Sequence, residues 1–320
     1  MTEKLTVSFF PHIRHKTTTS NIMLDVVIAL VPTFIASVLI FGPRAALVTA
    51  VCVMACVGFE GIYQRLLGKP STISDFSAVI TGLLIAFNLP VTIPLWQAMF
   101  GCLVAIILVK QLYGGLGKNF ANPAIVARVV MFLAFSGTMT AWYLPEHTPN
   151  WVLLTDTMAS PTPLAILARG EMEYLPSMWH MFAGIRGGSI GETSALALLL
   201  GGAYLIIRRV ITWHIPVTFI ATVAVISFLS GGLSVDYMLF QMFAGGLFLG
   251  AIFMATDYVT SPQTSKGRII FGVSCGLLTV VIRFFGSYPE GVSFAILFMN
   301  MLVPFINKLT LTKPLGGKKA

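Results

Sequence analysis

Charge is what this sequence has least of. Only 10% of its 320 residues are Asp, Glu, Lys or Arg, against about 25% in a soluble domain. With 56% hydrophobic residues, the chain lacks the polar surface that keeps a globular enzyme in water, and a soluble enzyme is excluded. Cysteine is equally scarce. Cys52, Cys56, Cys102 and Cys275 all fall inside apolar runs, with no C-x-x-C pair and no C-x-x-C-H haem attachment. Cys52 and Cys56 are four residues apart, on one helix face, and make at most half of an iron–sulfur site. Small apolar residues packing in a bundle is the simpler reading. Neither G-x-x-x-x-G-K-[ST] nor G-x-G-x-x-G occurs, so no phosphate-binding fingerprint points to a nucleotide fold.

What the chain has instead is apolar residues in blocks, and a helix needs about 20 of them to cross a bilayer. In hydrocarbon each backbone N–H and C=O must be satisfied within its own segment, so the blocks are helices. A barrel needs alternating segments of about ten residues, and none is present. About ten spans are expected, near 22–41, 45–65, 73–89, 97–113, 122–140, 191–209, 214–230, 237–255, 267–285 and 290–307. The third is short and ends at Asn88-Leu89-Pro90. The eighth runs into Ala255-Thr-Asp257-Tyr-Val-Thr260-Ser-Pro262. Both read as broken helices, which only covering protein or a cavity makes tolerable.

The cations are partitioned. With both termini inside, the inner segments hold fifteen Lys and Arg residues, among them Arg65, Lys69, Lys110, Lys118, Arg208 and Lys308. The outer segments hold four, Arg44, Arg169, Arg186 and Arg283, and Arg128 is left inside the fifth span. This is the positive-inside pattern, and a single missed span would scramble it. The net charge of +8 is then a collar facing anionic membrane lipid and calls for no nucleic acid. Residues 1–21 form an inner segment too polar for a cleaved signal peptide, and 308–320 a basic inner tail.

A weak repeat relates 22–140 to 191–307. The stretch from Phe76 to Pro90 resembles that from Phe243 to Asp257, and a shift of about 170 brings Gly101 onto Gly272 and Ala124 onto Ala295. Five spans per half is an odd number, so the halves are inverted in the membrane, a build common among transport folds with a site at the midplane. The fold expected is therefore an all-α polytopic membrane protein of two inverted five-helix repeats with broken third helices. Between the repeats lies the one long extramembrane loop, about 141–190, too short for a core of its own. Loops of that length are more often functional than accidental.

Several segments, in order, carry a resemblance: Ser8-Phe-Phe-Pro-His-Ile-Arg14, Asp75-Phe-Ser-Ala-Val-Ile-Thr81, Leu112-Tyr-Gly-Gly-Leu-Gly-Lys-Asn119-Phe-Ala-Asn122-Pro123-Ala124, Gly188-Ser-Ile-Gly-Glu-Thr-Ser194, Trp213-His-Ile-Pro216, Ala255-Thr-Asp257-x-Val-Thr260 and Lys266-Gly-Arg268. From about 8 to 307 the chain resembles the RnfD family, membrane components of the Rnf complex, the ion-translocating ferredoxin:NAD oxidoreductase. It is more distantly similar to the NqrB component of the sodium-pumping NADH:quinone oxidoreductase. The resemblance implies a component of a redox-driven pump in the cell (inner) membrane, coupled to Na⁺ or H⁺ translocation. It implies the other Rnf proteins, A, B, C, E and G, as partners. It also implies FMN attached through its phosphate to a threonine by a flavin transferase, the acceptor lying in an extracytoplasmic Asp-x5-Thr-Pro-Leu stretch. That makes Thr162, before Pro163-Leu164, the acceptor and Asp156 part of the transferase signal. Read alone, Asp156 to Pro163 is a loop with turn residues. Pro161 stands where the family usually has a small residue.

Thr193 is the rival acceptor, but it lacks an Asp six residues earlier. Ser189 or Thr193 is expected as the N-cap of helix six, with Glu192 in its first turn. Arg169 and Arg186 are each either partners for phosphate or reduced flavin, or solvated surface arginines. The resemblance places Asn119, Asn122 and Thr260 near a second, non-covalent flavin, riboflavin; tight packing through small residues is the alternative. Gly114 to Gly117 with Lys118 opens helix five, where phosphate is attracted only weakly by such a motif. Charges inside spans are costly and usually functional. Glu60 and Asp257 are candidates for an ion pathway or for structural pairing. Asp75 reads as the N-cap of helix three and Asp25 as interfacial. A secondary transporter or solute channel, and a scaffold protein, are the competing readings.

Overall fold

A computed structural model describes residues 18–142, 162–168, 175–286 and 291–311. The N-terminal motif at Ser8–Arg14, the expected signal residue Asp156, Arg169 and residues 312–320 of the basic tail lie outside them, while Lys308 belongs to the last turn of the final helix. Among the described residues all regular structure is helical.

The first half comprises α1 (Thr19–Phe41), α2 (Pro43–Leu66), α3 (Ser77–Phe87), α4 (Leu95–Leu103), which runs on as a π-helix over Val104–Gln111, α5 (Pro123–Ala134) and the short α6 (Ser136–Met139). The interhalf loop contributes α7 (Pro163–Ala168) and α8 (Met178–Ala183). The second half comprises α9 (Ala195–Ile207), α10 (His214–Ser230), α11 (Val235–Phe243), α12 (Leu247–Leu249) with a π-helix over Gly250–Met254, α13 (Ser265–Phe285) and α14 (Val292–Thr310). Each of the ten expected spans coincides with one of these elements. Among the described residues four helices, α1, α2, α13 and α14, are long and apolar enough to cross a membrane alone, and α11 with α12 makes a fifth, bent by 64°. In both halves the second span packs on the fourth, α2 on α4 and α10 on α13, while α1 packs on α9 across the halves.

The side chains sort as a membrane solvent demands. Phe285 is 85% exposed and Leu309 84%, a surface too apolar for water. Hydroxyls inside the bundle bond back to their own helix, as Thr49 does to the Ala45 carbonyl and Thr279 to the Cys275 carbonyl. Such back-bonding satisfies a polar group without a second partner. The four cysteines are buried, reduced and packed in the bundle.

The two breaks are completed by neighbours. α3 has 11 residues, a rise of about 16 Å, roughly half of the hydrocarbon thickness. Beyond it the chain is irregular, and the segment before α9 covers it: the Ile190 N–H donates to the Leu89 carbonyl and the Gly191 N–H to the Phe87 carbonyl. In the second half the break lies earlier than the Ala255–Pro262 stretch suggests. Ala244 is extended and Gly245 takes φ +68°, a left-handed conformation natural to glycine. The following π turn then brings Met254 to the centre.

Several expectations about individual residues are corrected. Helix six is capped by Ser194, whose hydroxyl accepts from the Ala197 N–H, not by Ser189 or Thr193. Arg186 is neither solvated nor turned outward. It is 1% exposed and donates to the carbonyls of Glu192 and Thr193. The glycine-rich stretch is a turn, with Gly114, Gly115 and Gly117 all at positive φ, and helix five opens only at Pro123. Asp75 is not the N-cap of α3, a place taken by Phe76 in a left-handed conformation; it ends the 3-10 turn before the helix, and its carboxylate accepts from the Ser77 N–H.

Candidate functional site

The bundle has a basic end and an opposite end, and its candidate residues divide between them. At the basic end a cleft of about 780 Å³, measured to its open mouth, is bounded by α1, α3, the first π-helix, the turn before α5, the end of α9 and the stretch after Met254. Met23, Val26, Ile80, Leu84, Leu205 and Phe253 give it apolar walls. Its polar groups include Lys110, Ser77, Asn119, Asn122, Thr256 and Asp257. The residues singled out at 119, 122 and 257, distant in sequence, thus meet at one cavity.

Local structure explains why each is there. Asn122 precedes Pro123 and caps α5, its Oδ1 accepting from the N–H groups of Ala124 and Ile125, while its Nδ2 donates to the Met254 carbonyl. The π turn ends there, and such turns are frequent at functional sites. With its amide turned to suit its neighbours, Asn300 of α14 donates to the Thr260 carbonyl and accepts from the Asn122 N–H. Asn119 donates to the Ala121 carbonyl. The Thr260 hydroxyl donates to Asp257 at 3.0 Å and the Val259 N–H at 3.4 Å. Asp257 sits in the turn beyond the eighth span. Enclosure by protein pushes its carboxyl up from the usual range, against the pull of that hydroxyl and amide. Thr260 stands behind Asp257, which it orients. The Tyr258 hydroxyl, raised by burial, donates to the Val210 carbonyl and ties this turn to the end of α9.

Glu60 lies behind the cavity wall, 0% exposed, and it is not solitary. The Lys110 ammonium donates to Glu60 Oε2 at 2.7 Å and to the Ser77 hydroxyl at 2.6 Å. Thr72 and Gln64 donate to Glu60 Oε1. Lys110, expected in the inner collar, is therefore a correction: it is buried, 2% exposed, on the wall of the cavity. The signal for an internal position is its place within the 97–113 span, where a charge is rarely idle.

Thr162 lies at the other end. It is buried and opens α7, its carbonyl accepting from the Ile166 N–H. Leu164 and Leu167 of α7 pack with Met181 of α8 and Ala244 at the hinge. The Ala244 carbonyl in turn accepts from Arg283, which also donates to the Gln241 carbonyl. Between the two ends runs a polar core. Arg128 contacts Glu192 at 3.5 Å and donates to Asn88, and Asn88 Nδ2 lies 3.5 Å from Met254 Sδ. The structure brings Asn119, Asn122, Asp257 and Thr260 together and keeps Thr162 apart from them.

The family model of the NQR2, RnfD, RnfE family matches residues 6–316. The chain is 46% identical over 318 residues to the D component of the Na(+)-translocating ferredoxin:NAD(+) oxidoreductase complex of Acetobacterium woodii, covering 98% of this chain and 96% of that one. It is 40% identical to the D component of the proton-translocating ferredoxin:NAD(+) oxidoreductase complex of Clostridium ljungdahlii, over 98% and 97% of the two chains. To the D component of the ion-translocating oxidoreductase complex of Stutzerimonas stutzeri it is 38% identical, over 94% and 93%. By an end-to-end match that includes every segment of the cavity wall, this chain belongs to the NQR2, RnfD, RnfE family.

Proposed function

We propose that this chain is the flavin-carrying membrane component of a ferredoxin:NAD oxidoreductase that couples electron transfer to translocation of Na⁺ or H⁺. The observation that carries the reading is the full-length match to the D components of such complexes. Other proteins of the same complex, in an inner membrane with this chain's termini on the cytoplasmic side, supply the ferredoxin- and NAD-facing parts.

Two flavin positions fit the residues present. FMN joined to the Thr162 hydroxyl through its phosphate belongs at the end opposite the basic one. There α7 is held on the bundle by Leu164 and Leu167, so a group tethered at Thr162 stays at one place on the bundle. Arg283, anchored beneath at the hinge, gives that region positive charge suited to a phosphodiester. Thr193 is less suited: the position six residues before it is Gly187, not an aspartate. Riboflavin, bound without a covalent link, belongs in the basic-end cavity. An isoalloxazine has an apolar dimethyl edge and a polar pyrimidine edge, and the cavity offers an apolar wall and the Asn119, Asn122 and Asp257 side chains. When bound, the rings supply one-electron chemistry; the protein supplies position and local charge. Glu60 and Asp257 remain the candidates for coupling to ion movement, to be read from ion transport in their variants.

The test is in-gel flavin fluorescence of the denatured chain, taken from the intact complex made in a host with its flavin transferase. Thr162→Ala removes the fluorescent band and Thr193→Ala keeps it. The reverse result overturns the assignment, and a non-fluorescent wild-type band removes the electron-carrier reading.

A further inference from the structure

Among the described residues Lys110 is the cation in the wall of the basic-end cavity, and two features show that it is placed there. The first is the π-helix over Val104–Gln111, which closes with the N–H of Leu112 bonded to the Ile107 carbonyl and of Gly115 to the Lys110 carbonyl. An α-helix would not carry the extra residue, and each position after the insertion is turned relative to the helix before it. The second is the clamp. Glu60 from α2 and Ser77 from α3 each hold the ammonium within 2.7 Å. Glu60 is itself fixed by Thr72 and Gln64, and Ser77 by the Asp75 carboxylate. A lysine with a flexible stem is thus fixed as a point charge at the cavity surface.

We propose that Lys110 is the charge that favours the reduced over the oxidised form of a flavin bound in this cavity, with Glu60 and Ser77 as its positioning residues. This rests on the cavity holding riboflavin. An isoalloxazine becomes more negative as it takes up electrons, here delivered by the redox centres of the surrounding complex. An ammonium at the wall interacts more strongly with that form than with the neutral one. Inside a bundle the effect is not screened as it is in water. Glu60 offsets only part of it, because Lys110 lines the cavity and Glu60 does not; the ring meets the ammonium first. Asp257, the other ionisable group on the wall, opposes it less than an exposed carboxylate would, because enclosure by protein disfavours its charged form.

The experiment uses the intact purified complex, depleted of non-covalent flavin, with riboflavin as the probe. Its dissociation constants are measured for the oxidised and the chemically reduced forms. In Lys110→Met the preference for reduced riboflavin falls on the order of tenfold, while binding of the oxidised form changes little. Lys110→Arg retains the preference. Where Lys110→Met does not assemble, the double variant Lys110→Met, Glu60→Met removes the charge without stranding its partner and shows a loss in the same direction. An unchanged ratio in an assembled Met variant, or an Arg variant that behaves like Met, overturns the proposal. The underlying reading has its own check. Val26→Trp fills the cavity and abolishes non-covalent flavin in the assembled complex; retention of the flavin there sinks the cavity assignment, whatever Lys110 does.

Discussion

At the scale of single residues, the Lys110–Glu60 pair is the strongest commitment in the bundle. Both groups are almost fully buried, and taking two charges out of water costs several kcal/mol each before their attraction repays it. Such a pair contributes little net stability against an apolar replacement, yet losing one member is severe. Lys110→Met leaves a carboxylate with Thr72 and Gln64 but no cation, and should destabilise the chain by about 3–5 kcal/mol. The double variant with Glu60→Met should recover most of that. Thermal unfolding in detergent, followed by intrinsic fluorescence, reads both. Equal losses in the single and double variants would show that packing, not charge, is what the pair supplies. Asn122 is a second residue with several duties: it caps α5 through two N–H groups and holds the Met254 carbonyl. Asn122→Ala loses all three contacts at once. The expected cost is about 1–3 kcal/mol, together with weaker retention of riboflavin on gel filtration. Asn122→Asp, which keeps the cap, should lose less stability than alanine does.

At the scale of elements, the ten spans are legible in the sequence because lipid leaves so few choices: an apolar block of sufficient length must be a helix. The short third span is legible too, since Asn88-Leu89-Pro90 interrupts it. What the pattern of apolar residues does not encode is the register of the two π turns, because one more residue in a mainly apolar span barely changes its hydropathy. Charge partition alone therefore puts Lys110 in the collar, although the π turn sets it inside. Resemblance to a family groups Asn119, Asn122 and Thr260 in one region, and the fold gives a physical cause, the capping of α5 against the end of the second π turn. Arg186 escapes a reading of the sequence because its partners are carbonyls, and carbonyls leave no trace there. The hinge at Ala244–Gly246 is likewise hidden, yet it bears on Thr162. A Cβ on Gly245 would lie 2.7 Å from Leu164, at a backbone φ of +68°. Gly245→Val is thus doubly strained and should displace α7. Covalent flavin on the chain should fall several-fold, while non-covalent flavin at the far end is retained. Normal in-gel fluorescence in this variant would mean that α7 does not need the hinge to present its threonine.

At the scale of the whole molecule, everything about sidedness depends on how the chain passes α3. Eleven residues of helix reach about 16 Å, so α3 alone does not cross. If the covered segment from Asn88 to Pro94 completes the passage, then α3, α4 and α5 are three crossings, and the loops before and after them lie on opposite sides. If α3 turned back instead, only two crossings would separate them and they would share a side. Lys69, before α3, is exposed, and Gly137, after α5, is exposed as well. The four native cysteines are all buried, so a cysteine added at either place stands out against a weak background. Lys69→Cys should react with a membrane-impermeant maleimide only in inverted vesicles, and Gly137→Cys only in right-side-out ones. That outcome places Thr162 and the basic-end cavity at opposite faces of the membrane, with Arg128, Asn88 and Met254 between them. Labelling of both from one side would make α3 re-entrant. It would also move the expected flavin threonine to the same face as the basic collar, where the proposed division between an outer tethered flavin and an inner exchangeable one has no physical basis.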